Sequence, residues 1–307
     1  MVSELLKLTG HLAILLLIPP IFLGIIAKTK AFFAGRKGPP LLQVYYDLFK
    51  LFCKGGVDSR SASFMIRLAP GIVLSTLLMA GLLLPLLYEA PIHFRGDLIL
   101  FAYLLALGRF FTILAALDVG SSFEGMGASR EAAFSAFSEL AFFMALVTLA
   151  VMTQSTSLSH IFQWGNTHPT FHPAVVLLFI SFFLILLTEN SRMPIDDPNT
   201  HLELTMIHEV MILDYSGPDL GLILYGATLK LFLFMALTAS LLWPPTGLFG
   251  FQEIGYLLAK VAGIAVVIGV VESVKSRLRL SKIPQLLVAN LVITTLALLI
   301  TVLGGPI

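Results

Sequence analysis

The sequence predicts an all-α integral membrane protein, and three observations carry that prediction. Of its 307 residues, 57% are hydrophobic and only 12% charged, where a soluble domain carries about 25% charged residues. The mean hydropathy is +0.94, and the apolar residues fall in blocks of about 20, the length that crosses a bilayer as a helix. Proline and glycine gather at block edges, as at Pro19, Pro20, Pro85, Pro91, Pro244 and Pro245, which punctuates helices.

Hydropathy divides the chain into about eight spans. The first is Leu12–Ala34, too long for the apolar core of a cleavable signal and followed by no small-residue cleavage site. Leu68–Tyr88, Leu98–Leu117 and Glu131–Thr153 follow. Ala174–Asn190 is the shortest, and Asp219–Trp243, Ile254–Ser273 and Pro284–Leu303 complete the set. No internal repeat or low-complexity tract interrupts them, so residues 1–307 read as a single membrane domain.

Two connecting segments are expected to be amphipathic helices. In Leu41–Lys54, Gln43, Asp47, Lys50 and Lys54 recur on one face, with Tyr45, Leu48, Phe49 and Phe52 on the rest, the pattern of a helix lying on a membrane or under a partner. In Thr200–Leu213, at 100° per residue, His201, Thr205, His208 and Glu209 share a polar arc. Glu203 falls opposite, among Met206, Ile207 and Val210. A carboxylate on an apolar face is costly unless paired or protonated; a salt bridge to a partner's arginine is the alternative reading.

Lys and Arg are distributed asymmetrically. The loop after the first span holds Lys28, Lys30, Arg36, Lys37, Lys50, Lys54, Arg60 and Arg67, and the last loop holds Lys275, Arg277, Arg279 and Lys282. Arg130 and Arg192 lie on the same side, against Lys7 and Arg95 on the other. The positive-inside rule puts the odd-numbered loops in the cytoplasm and both termini outside.

Several chemistries are excluded or disfavoured. The net charge of +1 gives no basic surface for nucleic acid. A single cysteine, Cys53, excludes an internal disulfide, a cysteine-ligated iron–sulfur cluster and a thiolate zinc site within the chain. The seven histidines include no HExxH spacing. His160, His168 and His172 share one loop, for which solvation is a better reading than metal binding. The run Gly120-Ser121-Ser122-Phe123-Glu124-Gly125-Met126-Gly127 lacks the lysine of a phosphate loop and reads as a tight loop against a partner.

What the sequence does carry is charge inside apolar spans, which is expensive and usually marks a pathway or a paired site. Arg109 lies in the third span, Lys230 in the sixth and Lys260 in the seventh; Glu189 and Glu272 end the fifth and seventh. In the fourth, Glu131, Ser135, Ser138 and Glu139 stand at i, i+4, i+7 and i+8, a polar stripe on one face. Carboxylates and hydroxyls so placed suit a proton relay. The competing reading is helix packing, with each glutamate paired to Arg109, Lys230 or Lys260. Lys260 is near enough to its span end to snorkel; Lys230 is not.

Three motifs then resemble a known family. After the first span stands Gly35-Arg36-Lys37-Gly38-Pro39-Pro40-Leu41-Leu42-Gln43, followed by Asp47 and Lys50. Between spans three and four stands Gly127-Ala128-Ser129-Arg130-Glu131, with Glu139 nine residues after the arginine. After span five comes Glu189-Asn190-Ser191-Arg192-Met193-Pro194-Ile195-Asp196, then Glu203-Leu204 and Asp214-Tyr215-Ser216-Gly217. Together they resemble the H-type membrane subunits of NADH–quinone oxidoreductase, which form the heel of respiratory complex I. Asp197-Pro198, the run Thr200 to Met206, Lys260 and Glu272-Ser273 with Arg277-Leu278-Arg279-Leu280 look closer to the counterpart in group 4 membrane-bound NiFe hydrogenases of the formate hydrogenlyase and hydrogenase-4 type. Asn199 and His201 depart from acidic positions of complex I relatives.

The resemblance covers nearly the whole chain and implies a bundle of eight tilted spans. It implies a non-catalytic subunit of a multi-subunit oxidoreductase in the cytoplasmic membrane, joining a peripheral redox arm to antiporter-like membrane subunits. Iron–sulfur clusters and the NiFe centre would sit on the hydrophilic partners, with no cofactor or metal on this chain; quinone is not favoured. By the same resemblance, Glu131, Glu139, Glu189, Asp196, Glu203, Lys230, Lys260 and Glu272 would carry proton or sodium coupling. Arg109, Arg130 and Arg192 would be their charge partners. Arg36, Gly38, Pro39, Gln43, Asp47, Lys50, Asp214 and Tyr215 would meet the arm. Two alternatives stand beside this: a complex I subunit lining a quinone chamber, and a structural anchor without ion transfer. A stand-alone transporter would show inverted repeats, and none is visible.

Overall fold

The computed structural model describes residues 2–57, 59, 61–87, 89–166, 172–196, 206–247 and 251–304. Helices account for nearly all regular structure, and no strand occurs among the described residues. They are α1 (Val2–Leu17), α2 (Pro19–Phe33), α3 (Gln43–Phe52), α4 (Met65–Leu83), α5 (Asp97–Asp118) and α6 (Ser122–Thr153). After these come α7 (Leu158–Trp164), α8 (Pro173–Glu189), α9 (Gly217–Leu242), α10 (Phe251–Val274) and α11 (Ile283–Leu303). Short 3₁₀ turns cover Glu209–Ile212 and Leu280–Lys282.

Seven stretches are long and apolar enough to cross a membrane, counting α1 and α2 together from Lys7 to Phe33. The expected fifth span is α8, which has only 17 residues and so rises about 25 Å at 1.5 Å per residue. The expected total of eight is reached only when this shorter helix is counted.

Three sequence expectations need correction. The first span is two helices, not one, because Pro19 and Pro20 carry no N–H for the carbonyls of Leu15 and Leu16. Those carbonyls accept instead from the Tyr225 hydroxyl of α9, at 3.1 and 2.9 Å. Leu17 is freed in turn, since the Ile21 amide bonds Ile18, and its carbonyl takes the Tyr45 hydroxyl of α3. Two tyrosines thus replace the missing donors at the break. Tyr225→Phe is expected to cost about 1 kcal/mol, the worth of a typical lost hydrogen bond, visible as a lowered thermal midpoint of the solubilised protein.

The second correction concerns the glycine-rich run. Helix α6 begins at Ser122 after Gly120 turns at φ +73°, so Ser122 to Gly127 is helix rather than loop. With 32 residues, α6 is about 48 Å long, well beyond the roughly 30 Å hydrocarbon core, so its first turns project past the membrane. Third, the amphipathic helix expected at Thr200–Leu213 is not formed over its described part. Residues 206–213 make turns and the 3₁₀ segment Glu209–Ile212; His201, Glu203 and Thr205 lie outside the described residues.

Helix α9 is the centre of the bundle. It packs against α2, α3, α4, α8 and α10, and every residue from Leu231 to Leu241 is buried. A stretch that is apolar on nearly all sides has to be surrounded. Helix α11 covers α6 and α8, α4 pairs with α5, and α10 with α2. The main core includes Phe22, Phe101, Phe142, Phe182, Phe232 and Phe234, with Phe22 stacked on Phe232 at 5.5 Å. A smaller core joins Ala115, Ala116, Ala128, Met211 and Tyr215. Glycine at 127 of α6 makes room for it, since a Cβ there would stand 3.0 Å from the Ile207 carbonyl and from the Met211 side chain. Segment 206–213 therefore lies directly on α6.

Candidate functional site

Four helices bring charged side chains to one place. Arg109 of α5 lies 2.9 Å from the Glu139 carboxylate of α6 and 2.6 Å from that of Glu189 at the end of α8. Lys230 of α9 stands 3.1 Å from the same Glu189 carboxylate and donates to the Glu189 backbone carbonyl at 2.6 Å. Ser138 of α6 donates to the other Glu189 oxygen at 2.9 Å. Glu189 is the last residue of α8, where carbonyls lack helical partners and the dipole favours cations. Arg109 and Lys230 meet both needs. Buried charges persist only when paired and hydrogen-bonded, and Glu189, with 4% side-chain exposure, satisfies two cations at once.

Glu131 is also buried, on the same face of α6, yet no described residue makes a hydrogen bond or ion pair to it. It lines two spaces. One is a water-sized cleft shared with Ser135, Ile195 and Ile207. The other is a cavity of about 310 Å³, within the size range of small-molecule sites. Its lining includes the apolar side chains of Leu23, Leu48, Leu77, Leu105 and Ile223. The lining also carries Arg109, Glu131, Glu189, Arg192, Asp196, His208 and Lys230.

Below this a second network holds the segment after α8. Asp196 pairs with Arg277 at 2.7 Å and accepts the Ile207 amide at 2.9 Å. Glu272 of α10 meets Lys30 of α2 at 2.9 Å and Arg192 at 3.4 Å. The Leu278 amide donates to the Pro194 carbonyl at 2.8 Å, and Arg130 donates to the Met206 carbonyl at 2.9 Å. Segment 190–196 is thereby tied to α2, α10 and residues 277–278, and segment 206–213 to α6.

The predicted residues divide accordingly. Arg109, Glu139, Glu189 and Lys230 meet directly, and Glu131 stands beside them in the cavity. Asp196, Arg192, Arg130 and Glu272 form the network below; Glu203 lies outside the described residues. Of the serines, Ser138 joins the cluster, while Ser135 donates to its own helix at Ala132. Lys260 does not pair with these acids. It donates to Ser240 at 3.0 Å and to the Trp243 carbonyl at 3.2 Å, over the Tyr256 ring. Ser240 is ten residues beyond Lys230 on α9, about 15 Å along the axis. Near it, Glu253 accepts the Thr246 amide and hydroxyl at 3.3 and 3.0 Å.

Of the expected arm-contact positions, Arg36, Gly38, Pro39, Asp47 and Lys50 are exposed and Gln43 is partly so. Gln43 donates to Asp47 at 2.9 Å along α3. Tyr215 turns inward at 7% exposure, and burial, then Glu124, raises its hydroxyl pKa. The Asp214 amide donates to Glu124 at 3.0 Å.

Three buried acids fall outside the expected set. Asp97 caps loop amides, accepting Leu158 N–H at 2.7 Å and the Ser157 hydroxyl at 2.9 Å; Glu124 and Glu253 hold loops in the same way. Their positions at span edges give no signal in the sequence. His208 shows there only as part of a polar arc. Among the described residues, no group of three or more His, Cys, Asp or Glu side chains is placed to hold a metal ion, and His168 of the loop trio lies outside them.

Comparison with known proteins gives a consistent picture. A family model described as NADH dehydrogenase matches residues 6–303. Hydrogenase-4 component C of Escherichia coli (strain K12) is 34% identical over 235 residues, covering 75% of this chain and 73% of that protein. Formate hydrogenlyase subunit 4 of the same organism is 30% identical over 284 residues, covering 89% and 91%. The H-type subunit of NADH-quinone oxidoreductase from Phocaeicola vulgatus is 27% identical over 231 residues, covering 71% and 64%. In structure, a chain of the membrane-bound sulfane sulfur reductase, an archaeal respiratory membrane complex, superposes with a TM-score of 0.86 at 19% identity, over 97% of this chain and 99% of that one. That likeness concerns the fold.

Proposed function

Because this chain belongs to the NADH dehydrogenase family of membrane subunits, we propose that it is the heel subunit of a group 4 NiFe-hydrogenase complex of the formate hydrogenlyase type. In this role it anchors a peripheral redox arm and couples electron transfer to proton or sodium movement. The carrying observation is the buried cluster of Arg109, Glu139, Glu189 and Lys230, continuous with a cavity that reaches the loop network of Arg192 and Asp196. A charge change or movement in that loop network would alter the field at Glu189 and Lys230, which is the physical content of coupling. Glu131, lining both the cavity and the water-sized cleft, would exchange the proton with water. Lys260 and Glu253, toward the other end of α9, would stand at the far side of the route.

The arm would bind on the side of the exposed α2–α3 connection, which the positive-inside rule assigns to the cytoplasm. Iron–sulfur clusters and the NiFe centre would belong to that arm, and antiporter-like subunits would adjoin the membrane face. Residues 1–307 would act as one membrane domain.

Glu139→Gln tests the reading with little risk to folding, because the Glu139 side chain is 35% exposed and Arg109 keeps Glu189. We expect the complex to assemble and its ion movement per hydrogen evolved to fall about a hundredfold, the lower range for loss of a positioned acid–base group. Unchanged ion movement in reconstituted vesicles would remove the coupling role.

One observation favours a second reading. A cavity lined by Leu23, Leu48, Leu77 and Ile223 as well as by charged side chains would suit an amphipathic ring such as a quinone. Quinone-dependent turnover of the intact complex, blocked by a quinone-site inhibitor, would establish that alternative.

A further inference from the structure

His208 belongs to neither charged network, yet it faces both. It precedes the 3₁₀ turn Glu209–Ile212 and lines the 310 Å³ cavity together with Asp196, Glu131 and Lys230. No described residue makes a hydrogen bond to its ring. It is held in place by its backbone instead: its carbonyl accepts the Met211 amide at 3.1 Å, and segment 206–213 is fixed to α6 through Arg130 and Gly127. A packing histidine normally finds a partner for its ring N–H, as His11 does with the Gly81 carbonyl at 2.9 Å. An imidazole that lines a cavity shared with Arg109, Glu131, Asp196 and Lys230, with no hydrogen bond from a described residue, can offer one nitrogen as donor and the other as acceptor.

We propose that His208 is a proton-transferring residue, carrying protons through the cavity that it lines together with Asp196, Glu131 and Lys230. This rests on the coupling reading given above and adds a group to it. In the step, one ring nitrogen takes a proton from hydronium in the cavity, leaving neutral water, while the other gives its proton to a second water, which becomes hydronium. One positive charge crosses and the ring stays neutral. The exchanged tautomer is reset by rotation of the ring, which no hydrogen bond to a described residue restrains. The cavity volume, far above the roughly 10–15 Å³ that holds one water, gives room for both. Burial, then the Lys230 charge, opposes protonation and lowers the ring pKa to about 4, so the imidazole is a transient carrier rather than a resident cation.

The test uses the intact complex in sealed vesicles, comparing the parent with His208→Gln and His208→Ala. Proton movement per hydrogen evolved should fall about a hundredfold in both, the lower range for loss of a positioned acid–base group, with the arm still attached. Added imidazole should restore movement in His208→Ala, where the ring's space is vacant, and not in His208→Gln, where the amide fills it. A structural role would give loss without imidazole rescue, or loss of assembly in both variants, and either result overturns the proposal. If only His208→Ala fails to assemble, the ratio in His208→Gln decides: a collapsed ratio supports the relay and a parental ratio ends it. Parental ratios in both variants likewise end it while leaving the coupling reading intact. A parent complex that turns over without moving protons removes the proton-coupling reading itself, and the relay with it.

Discussion

Glu189→Gln is expected to abolish coupled ion movement and to destabilise the protein by about 3 kcal/mol, the low end for breaking a buried ion pair. The low end applies because each cation keeps one partner: Arg109 retains Glu139, and Lys230 retains the residue-189 carbonyl. What the substitution removes is the one carboxylate with which both cations form ion pairs, leaving Lys230 without an ion-paired acid among the described residues. A second substitution sharpens the test. Adding Lys230→Met should return part of the lost stability, since it removes one uncompensated cation, while ion movement stays absent. The thermal midpoint of the purified complex and ion uptake by vesicles measure the two effects separately. Additive destabilisation by the two changes would mean that Glu189 and Lys230 do not interact energetically.

The second large effect is expected at Asp196. Its carboxylate joins Arg277 to the Ile207 amide, so it holds together the chain on either side of residues 197–205. Asp196→Ala leaves a buried N–H without its acceptor and Arg277 without that carboxylate, at a cost of about 2 kcal/mol. The loss should be local, because the Arg277 and Ile207 contacts that it removes are not made to α9. Hydrogen exchange of the 206–213 amides should accelerate about 30-fold, the equivalent of that energy at 1.36 kcal/mol per factor of ten. Exchange in α9 should be unchanged. Equal acceleration throughout the bundle would show that Asp196 supports the global fold rather than the loop network.

The parts of the fold legible in the sequence are those set by hydropathy alone. Helices α4, α5, α9, α10 and α11 lie within a few residues of the expected spans, because a long apolar run has few other solutions. The break at Pro19 is not legible, although the two prolines that cause it are plain, because edge and interior prolines look alike until the helix start is known. The start of α6 is hidden for a related reason: Gly120, Gly125 and Gly127 suggest a loop, and of the three only Gly120 turns the chain. Gly127 is there for packing, which depends on a segment 80 residues away.

For the site, Arg109, Glu139, Glu189 and Lys230 stand out in the sequence because charge in an apolar span is costly. Their mutual pairing does not, since it depends on which helices are neighbours. Lys260 carries the same sequence signal as Lys230 but caps α9 instead. The residues without a clear signal, Asp97, Glu124, Glu253 and His208, lie at or beyond span edges. There a charged or polar residue is ordinary, and only the fold reveals that it is buried or faces a cavity.

In the proposed function, redox turnover in an attached arm drives ions through this chain's buried charges. The most direct measurement is ion uptake by vesicles containing the intact complex, driven by a reduced low-potential donor, with hydrogen evolution recorded at the same time. A protonophore distinguishes proton from sodium movement. Hydrogen evolution coupled to ion movement is expected in the parent, with ion movement lost in Glu189→Gln. Hydrogen evolution with no ion movement in the parent, or parental ion movement in Glu189→Gln, would contradict it.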